Sequence, residues 1–248
     1  MTMEENFARV ETKFLLSLSQ TAAMEDALRH RGFRHPDFGS PMVQSLYYDT
    51  PDHELIRCSL ERPVYKEKLR LRAYGEPGAL TRSFTEIKKK YNGVVYKRRI
   101  ELPLQEAMNG LRAGSLPTAG QVGREACRMA AHYGLEPAAV IAYNRDAWFS
   151  EAEPGVRITF DRDLSFRDWQ MNLNIPADNL PILPVDRRLM EIKTGGAYPL
   201  WLVRLLRECG IRRIHFSKYG QAYRMYIRPA AASERSGEEC STVFFKGA

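Results

Sequence analysis

Six segments of this chain alternate charged and apolar residues with a period of two, and that pattern constrains the fold more than any other feature. Arg9, Glu11 and Lys13 alternate with Val10 and Thr12 and are followed by Phe14. Lys68, Arg70 and Arg72 alternate with Leu69 and Leu71, and Glu86, Lys88 and Lys90 flank Ile87 and Lys89. Tyr143 and Arg145 alternate ahead of Trp148; Arg157, Thr159 and Asp161 alternate with Ile158 and Phe160; Glu191 and Lys193 flank Ile192. Successive side chains of a strand point to opposite faces, so each segment puts its charges on one face and its apolar residues on the other.

Two architectures accept such strands. One is an open antiparallel sheet with a solvated charged face and a buried apolar face. The other is a barrel with the charges turned inward and the apolar face covered by helices. The charges are mostly cationic, and like charges directly opposite each other destabilise a sheet. Turned inward they repel still more strongly unless a polyanion sits among them. The net charge of +7, from 37 Lys and Arg against 30 Asp and Glu, also attracts polyanions without choosing among them.

The glutamates among these cations have two uses. Each can pair with a neighbouring Lys or Arg, or it can coordinate a hard divalent ion that bridges phosphate oxygens. Arginine suits phosphate through its planar two-donor fork, which singles out Arg70, Arg72, Arg145 and Arg157. Lys13, Lys88 and Lys193 supply point charges. Ser217 reads as an N-cap, which puts Lys218 in a first helical turn, where an anion would relieve the opposed dipole and accept free N–H groups.

Helices are expected from a Ser19 cap to Gly32, from Pro103 to Gly114, over Val122–Tyr133 closed by Gly134, from Pro199 to Gly210, and after Ser217. Residues 172–187, with Pro176, Pro181 and Pro184, read as a long loop. A single domain is expected over residues 1–229, with a disordered tail at 230–248. Four cysteines, none in a C-x-x-C pair, read as reduced thiols of a cytoplasmic protein. Residues 1–10 lack the apolar stretch of a signal peptide, and the most apolar segment, 198–206, is too short for a membrane span.

These segments, in order, resemble the triphosphate tunnel metalloenzyme (CYTH-like) superfamily, and within it the polyphosphate polymerase domain of the vacuolar transporter chaperone (VTC) type. The resemblance rests on Arg9-Val-Glu11-Thr-Lys13-Phe14, Leu46-Tyr47-Tyr48-Asp49-Thr50, Lys68-Leu-Arg70-Leu-Arg72-Ala-Tyr74-Gly75 and Thr85-Glu86-Ile-Lys88-Lys89. Tyr143-Asn-Arg145, Arg157-Ile-Thr-Phe-Asp161, Met190-Glu191-Ile-Lys193 and Phe216-Ser217-Lys218-Tyr219 complete it.

The resemblance implies an α+β fold, a closed antiparallel barrel of about eight strands forming a charged tunnel with helices outside. It implies that Lys13, Arg70, Arg72, Lys88, Arg145, Arg157 and Lys218 hold phosphates catalytically. Arg9, Lys68, Lys90, Tyr143, Lys193, His215 and Ser217 would add phosphate contacts. Glu191, with Glu11 and Glu86, would hold a divalent metal, manganese or magnesium. The implied activity is transfer of the terminal phosphoryl group of ATP to a growing polyphosphate chain. Hydrolysis of inorganic or nucleoside triphosphate, and polyphosphate binding without turnover, are the alternatives. Arg9 stands where hydrolase branches carry an acid, which favours the polymerase, and His215 stands where the polymerase pattern carries Lys. No nucleic-acid partner is expected, because most aromatics fall on apparent core faces. Export of a product would need a membrane-protein partner.

Overall fold

In the computed structural model, residues 10–35 and 41–229 are described; Arg9 and the expected tail at 230–248 lie outside them. The elements run β1 (Val10–Ser17), α1 (Leu18–His30), β2 (Met42–Asp49), α2 (Glu54–Leu60), β3 (Tyr65–Tyr74), β4 (Arg82–Tyr91) and β5 (Val94–Pro103). There follow α3 (Leu104–Ala113), α4 (Gly120–Tyr133), β6 (Glu136–Trp148), β7 (Val156–Arg167), β8 (Leu180–Pro181), β9 (Arg187–Thr194), α5 (Leu200–Glu208), β10 (Arg213–Ile214) and α6 (Lys218–Ala222), the last continuing as a wider turn over Tyr223–Ile227.

The strands form one antiparallel sheet in the order β10-β1-β9-β7-β6-β2-β3-β4-β5, with β8 added beside β7. Among the described residues the hydrogen-bonded path ends at β10 and β5, so hydrogen bonds do not close it into a barrel.

The described residues of each period-two segment lie in a strand, and the apolar face meets helices. Phe14, Ile158, Phe160, Met190 and Ile192 pack on Met24 and Leu28 of α1 and on Leu202 and Leu206 of α5. Leu69, Leu71 and Ile87 pack on Leu104, Ala107 and Leu111 of α3 and on Ala126 and Met129 of α4. Removing such buried apolar area from water supplies the main drive to fold, about 25 cal/mol per Å².

The expectation that helices pack only outside is corrected by α6. Tyr219 and Ala222 of α6, with Ile227, pack on Tyr47, Ile141, Phe166 and Leu189, which line the inner side of the sheet. The helix enters the concavity because Tyr219 and Ala222 give it an apolar face there, while Lys218 remains among the charges.

The expected helix ends hold at Gly114 and Gly134, both in the left-handed region at φ 70° and 62°. The first helix starts earlier than the Ser19 cap. Ser17 Oγ accepts from Gln20 N, and Gln20 Oε1 accepts from Ser17 N, a reciprocal box that fixes the start at Leu18. The long loop is bridged at β8 and organised by Arg167, buried and donating to the carbonyls of Gln170, Asn172 and Ile175. No helix of the described residues is long and apolar enough to cross a membrane.

Candidate phosphate-binding site

Register places the charged side chains on a shared concave face. Lys13 lies opposite Glu191, Glu191 opposite Thr159, and Asp161 opposite Arg145. On the other arm Tyr47 lies opposite Arg70, Arg70 opposite Glu86, and Lys68 opposite Lys88.

The first arm centres on Glu191 and Asp161. Lys218 Nζ is 2.9 Å from Glu191 Oε1 and 2.5 Å from Asp161 Oδ2. Arg145 forks onto Asp161 through Nε (2.6 Å) and Nη2 (2.7 Å), and the same Nη2 reaches Glu191 Oε2 at 3.0 Å. Lys13 Nζ sits 3.5 Å from both Glu191 and Glu11 and donates to the Phe216 carbonyl at 3.0 Å. The Tyr143 ring lies beneath Lys218 Nζ at 4.4 Å and near the Arg145 guanidinium at 5.2 Å, a cation–π floor. Burial alone would raise the Glu191 carboxyl, but Lys218, Lys13 and Arg145 outweigh it and hold it well below the usual range. Burial likewise opposes the Lys218 ammonium, and Glu191 and Asp161 push it up.

The second arm holds Arg70, whose Nε donates to Glu86 at 2.7 Å and whose Nη1 donates to Tyr47 Oη at 2.9 Å. Lys97 of β5 stands 2.5 Å from Glu86. Against burial, Arg70, Arg72 and Lys97 bring the Glu86 carboxyl down to about 2.

Beyond this pair runs a lysine ladder, with Lys66 opposite Lys90 and Lys68 opposite Lys88. Among the described residues, Lys68 and Lys88 have no carboxylate within ion-pair distance. Burial and the charges of Lys66, Lys88 and Lys13 bring Lys68 down to about 8, although Tyr47 opposes them. Lys88 is lowered chiefly by burial; Glu11 raises it and Lys13 lowers it further. Thus β4 senses the charges of β1, and the two arms face each other across the concavity.

Of the residues singled out in the sequence, Lys13, Lys68, Arg70, Arg72, Glu86, Lys88, Lys90, Tyr143, Arg145, Glu191, Lys193, Glu11 and Lys218 share this face. Arg157 lies opposite Lys193 at an exposed strand end. His215 is exposed, and the Ser217 hydroxyl accepts from Gly220 N, so its oxygen caps α6. Glu86 is enclosed by Arg70, Arg72 and Lys97, apart from Glu191.

Asp161, Tyr47, Lys66 and Lys97 belong to the site although sequence reading gave them no role. Asp161 carried a signal, since it alternates with Arg157 and Thr159; Lys97 lies on an edge strand without alternation.

Among the described residues no three His, Cys, Asp or Glu side chains converge as a metal cage. The oxygen donors present nevertheless fit a cation that takes one or two carboxylates and fills its other positions with phosphate oxygens and water. Glu191 and Glu11 flank Lys13, and the buried Thr159 Oγ1, directly opposite Glu191, has no hydrogen-bond partner among the described residues.

A family model described as the VTC domain matches residues 8–227. The chain belongs to the VTC domain family. Two solved structures share the fold of this VTC domain at 15% identity. One, described as a candidate adenylate cyclase from Bacillus halodurans, has a TM-score of 0.54, with 88% of this chain and 97% of that one covered. The other, so described from Vibrio parahaemolyticus, has a TM-score of 0.50, with 88% and 98% covered. No curated protein matches the VTC domain chain in sequence.

Proposed function

We propose that this protein is a metal-dependent polyphosphate polymerase that works in a tunnel formed by the concave face of its sheet. The observation that carries the reading is the lysine ladder of β3 and β4. It extends the cationic surface beyond the Glu191–Lys13 centre and lacks carboxylates for Lys68 and Lys88 among the described residues. A site that serves only one triphosphate has little use for such an extension, whereas a growing chain would occupy it.

In this reading the terminal phosphate of the chain attacks the γ-phosphorus of ATP. A new P–O–P bond forms, the bond from the γ-phosphorus to the β-phosphoryl bridging oxygen breaks, and ADP leaves. The acceptor is its own nucleophile, so the protein contributes positioning and charge stabilisation. Arg145 spends Nε and Nη2 on carboxylates and keeps Nη1 for a phosphate oxygen. Arg72, held through Nε by Ser45 Oγ at 3.4 Å, keeps both terminal nitrogens. Lys218 and Lys13, fixed by Glu191, meet the phosphates as point charges. Glu191 and Glu11 would hold the divalent metal, which supplies charge neutralisation on phosphate oxygens.

The test is incubation of the protein with ATP, manganese or magnesium, and a short phosphate primer, with ADP, free phosphate and polymer measured together. Polymer with ADP and little free phosphate is expected. Equal ADP and free phosphate without polymer would assign hydrolysis instead. No turnover with tight polyphosphate binding would make the protein a binding module.

A further inference from the structure

Resting on the phosphate-chain reading, we propose that Tyr47 positions Arg70 and serves as its counter-ion in the free protein, surrendering that charge by taking a proton from solution when a phosphate chain enters.

The geometry is built around the phenol oxygen. Tyr47 lies directly opposite Arg70 in the β2–β3 ladder, and Arg70 Nη1 donates to Tyr47 Oη at 2.9 Å. The Arg70 guanidinium also lies 5.7 Å from the centre of the Tyr47 ring. On its other side the ring stacks on Tyr219 at 5.0 Å and 30°. Tyr219 is anchored in turn, donating to Asp49 Oδ2 at 3.1 Å, with His53 Nδ1 3.1 Å from its hydroxyl. The phenol therefore cannot swing away from Arg70 without unstacking from α6.

The groups facing it are cationic. Lys68, Arg70 and Arg72 act from β3 and Lys88 from β4. The acids nearby are already engaged: Glu86 by Arg70, Arg72 and Lys97, and Asp49 by three backbone N–H groups and Tyr219. Burial alone would push the Tyr47 phenol up, but Arg70, Lys68 and Arg72 outweigh it and bring it down to about 7. In contrast Tyr48, Tyr65, Tyr133, Tyr198 and Tyr219 are all pushed up.

The sign follows from the charges. Below about pH 7 Tyr47 is a neutral phenol; above it, a phenolate balances Arg70 and Lys68. An entering phosphate chain brings negative charge to the same cations, disfavours the phenolate and returns it to phenol. One proton passes from solution to Tyr47 Oη, and Arg70 is released to the phosphate with its orientation kept by the same hydrogen bond.

Near-ultraviolet absorbance of tyrosinate in the full chain tests this without relying on activity. The expected result is one tyrosine ionising near pH 7 in place of the ordinary value near 10, with that transition missing in Tyr47→Phe. Phenylalanine keeps the ring stacked on Tyr219, and the wild-type titration is decisive even if the variant folds poorly. Adding inorganic triphosphate one pH unit above the midpoint is expected to abolish most of the tyrosinate signal. A first transition only near pH 10 would overturn the proposal. So would calorimetric binding of triphosphate that leaves the signal unchanged. No binding heat at all would overturn the phosphate reading on which the proposal rests.

Discussion

Lys218 Nζ lies 2.9 Å from Glu191 Oε1, deep in a concave face where cations outnumber acids. The pair joins α6 to β9 and ties that helix to the candidate metal carboxylate. Glu191→Gln removes the charge and keeps the size. Taking one partner from a buried ion pair costs about 3–5 kcal/mol, so a lower melting temperature is expected. Turnover is expected to fall about a hundredfold or more. Triphosphate added to the variant should recover part of the lost melting temperature, since a phosphate can replace the missing negative charge. Thermal melts with and without triphosphate, beside an ADP assay, check this.

Lys68 gives a pH dependence with a defined sign. Its ammonium titrates at about 8, so the positive charge it offers to phosphate is present below that pH and lost above it. Phosphate binding is expected to weaken through this region, by up to about tenfold per pH unit for one required proton. In Lys68→Arg the charge persists, because guanidinium does not deprotonate in this range. Calorimetric titration with triphosphate on either side of about pH 8 should show a shallower decline in the variant.

Acid should weaken the fold through Glu86. Its folded pKa is depressed from 4.5 to about 2, so its contribution is fully present above 4.5 and is lost as pH falls toward 2. The shift corresponds to at most about 3 kcal/mol. Denaturant melts over this range should show a steeper acid loss for wild type than for Glu86→Gln, which is less stable at neutral pH.

Ser217→Ala removes the oxygen that accepts from Gly220 N at the start of α6. A lost N-cap costs about 1 kcal/mol. Because Lys218 follows the cap directly, the loss in turnover is expected to exceed what this modest destabilisation explains. Comparing melting temperature with kcat separates the two effects.

What could be read from the sequence follows from exposure. β1, β3, β4, β7 and β9 were legible because one face is charged and the other buried. β2 was seen only as a motif, since all its residues after Met42 are buried and no alternation survives. β5 was missed for the opposite reason, most of it being exposed at the end of the sheet. The seven-residue α2 begins after His53 at φ 59°, and its first N–H groups are accepted by Thr50 Oγ1 and the Asp49 carboxylate further back in the chain, so no residue at the cap position marks its start. Tyr47 and Asp161 gain their roles from partners distant in sequence, Arg70 and Tyr219 for the one and Arg145 and Lys218 for the other, and that neighbourhood is a property of the fold. Sheet closure was likewise beyond the sequence, since pattern gives faces and not the pairing at the two ends.

In the proposed polymerase the concave face holds a phosphate chain longer than a triphosphate. Calorimetric titration with inorganic chains of increasing length, against wild type and Lys66→Ala/Lys90→Ala, measures this directly. Affinity is expected to rise with length beyond three phosphates in wild type, and the variant is expected to lose the increment while still binding triphosphate. Affinity that levels off at triphosphate and is indifferent to the ladder would contradict it.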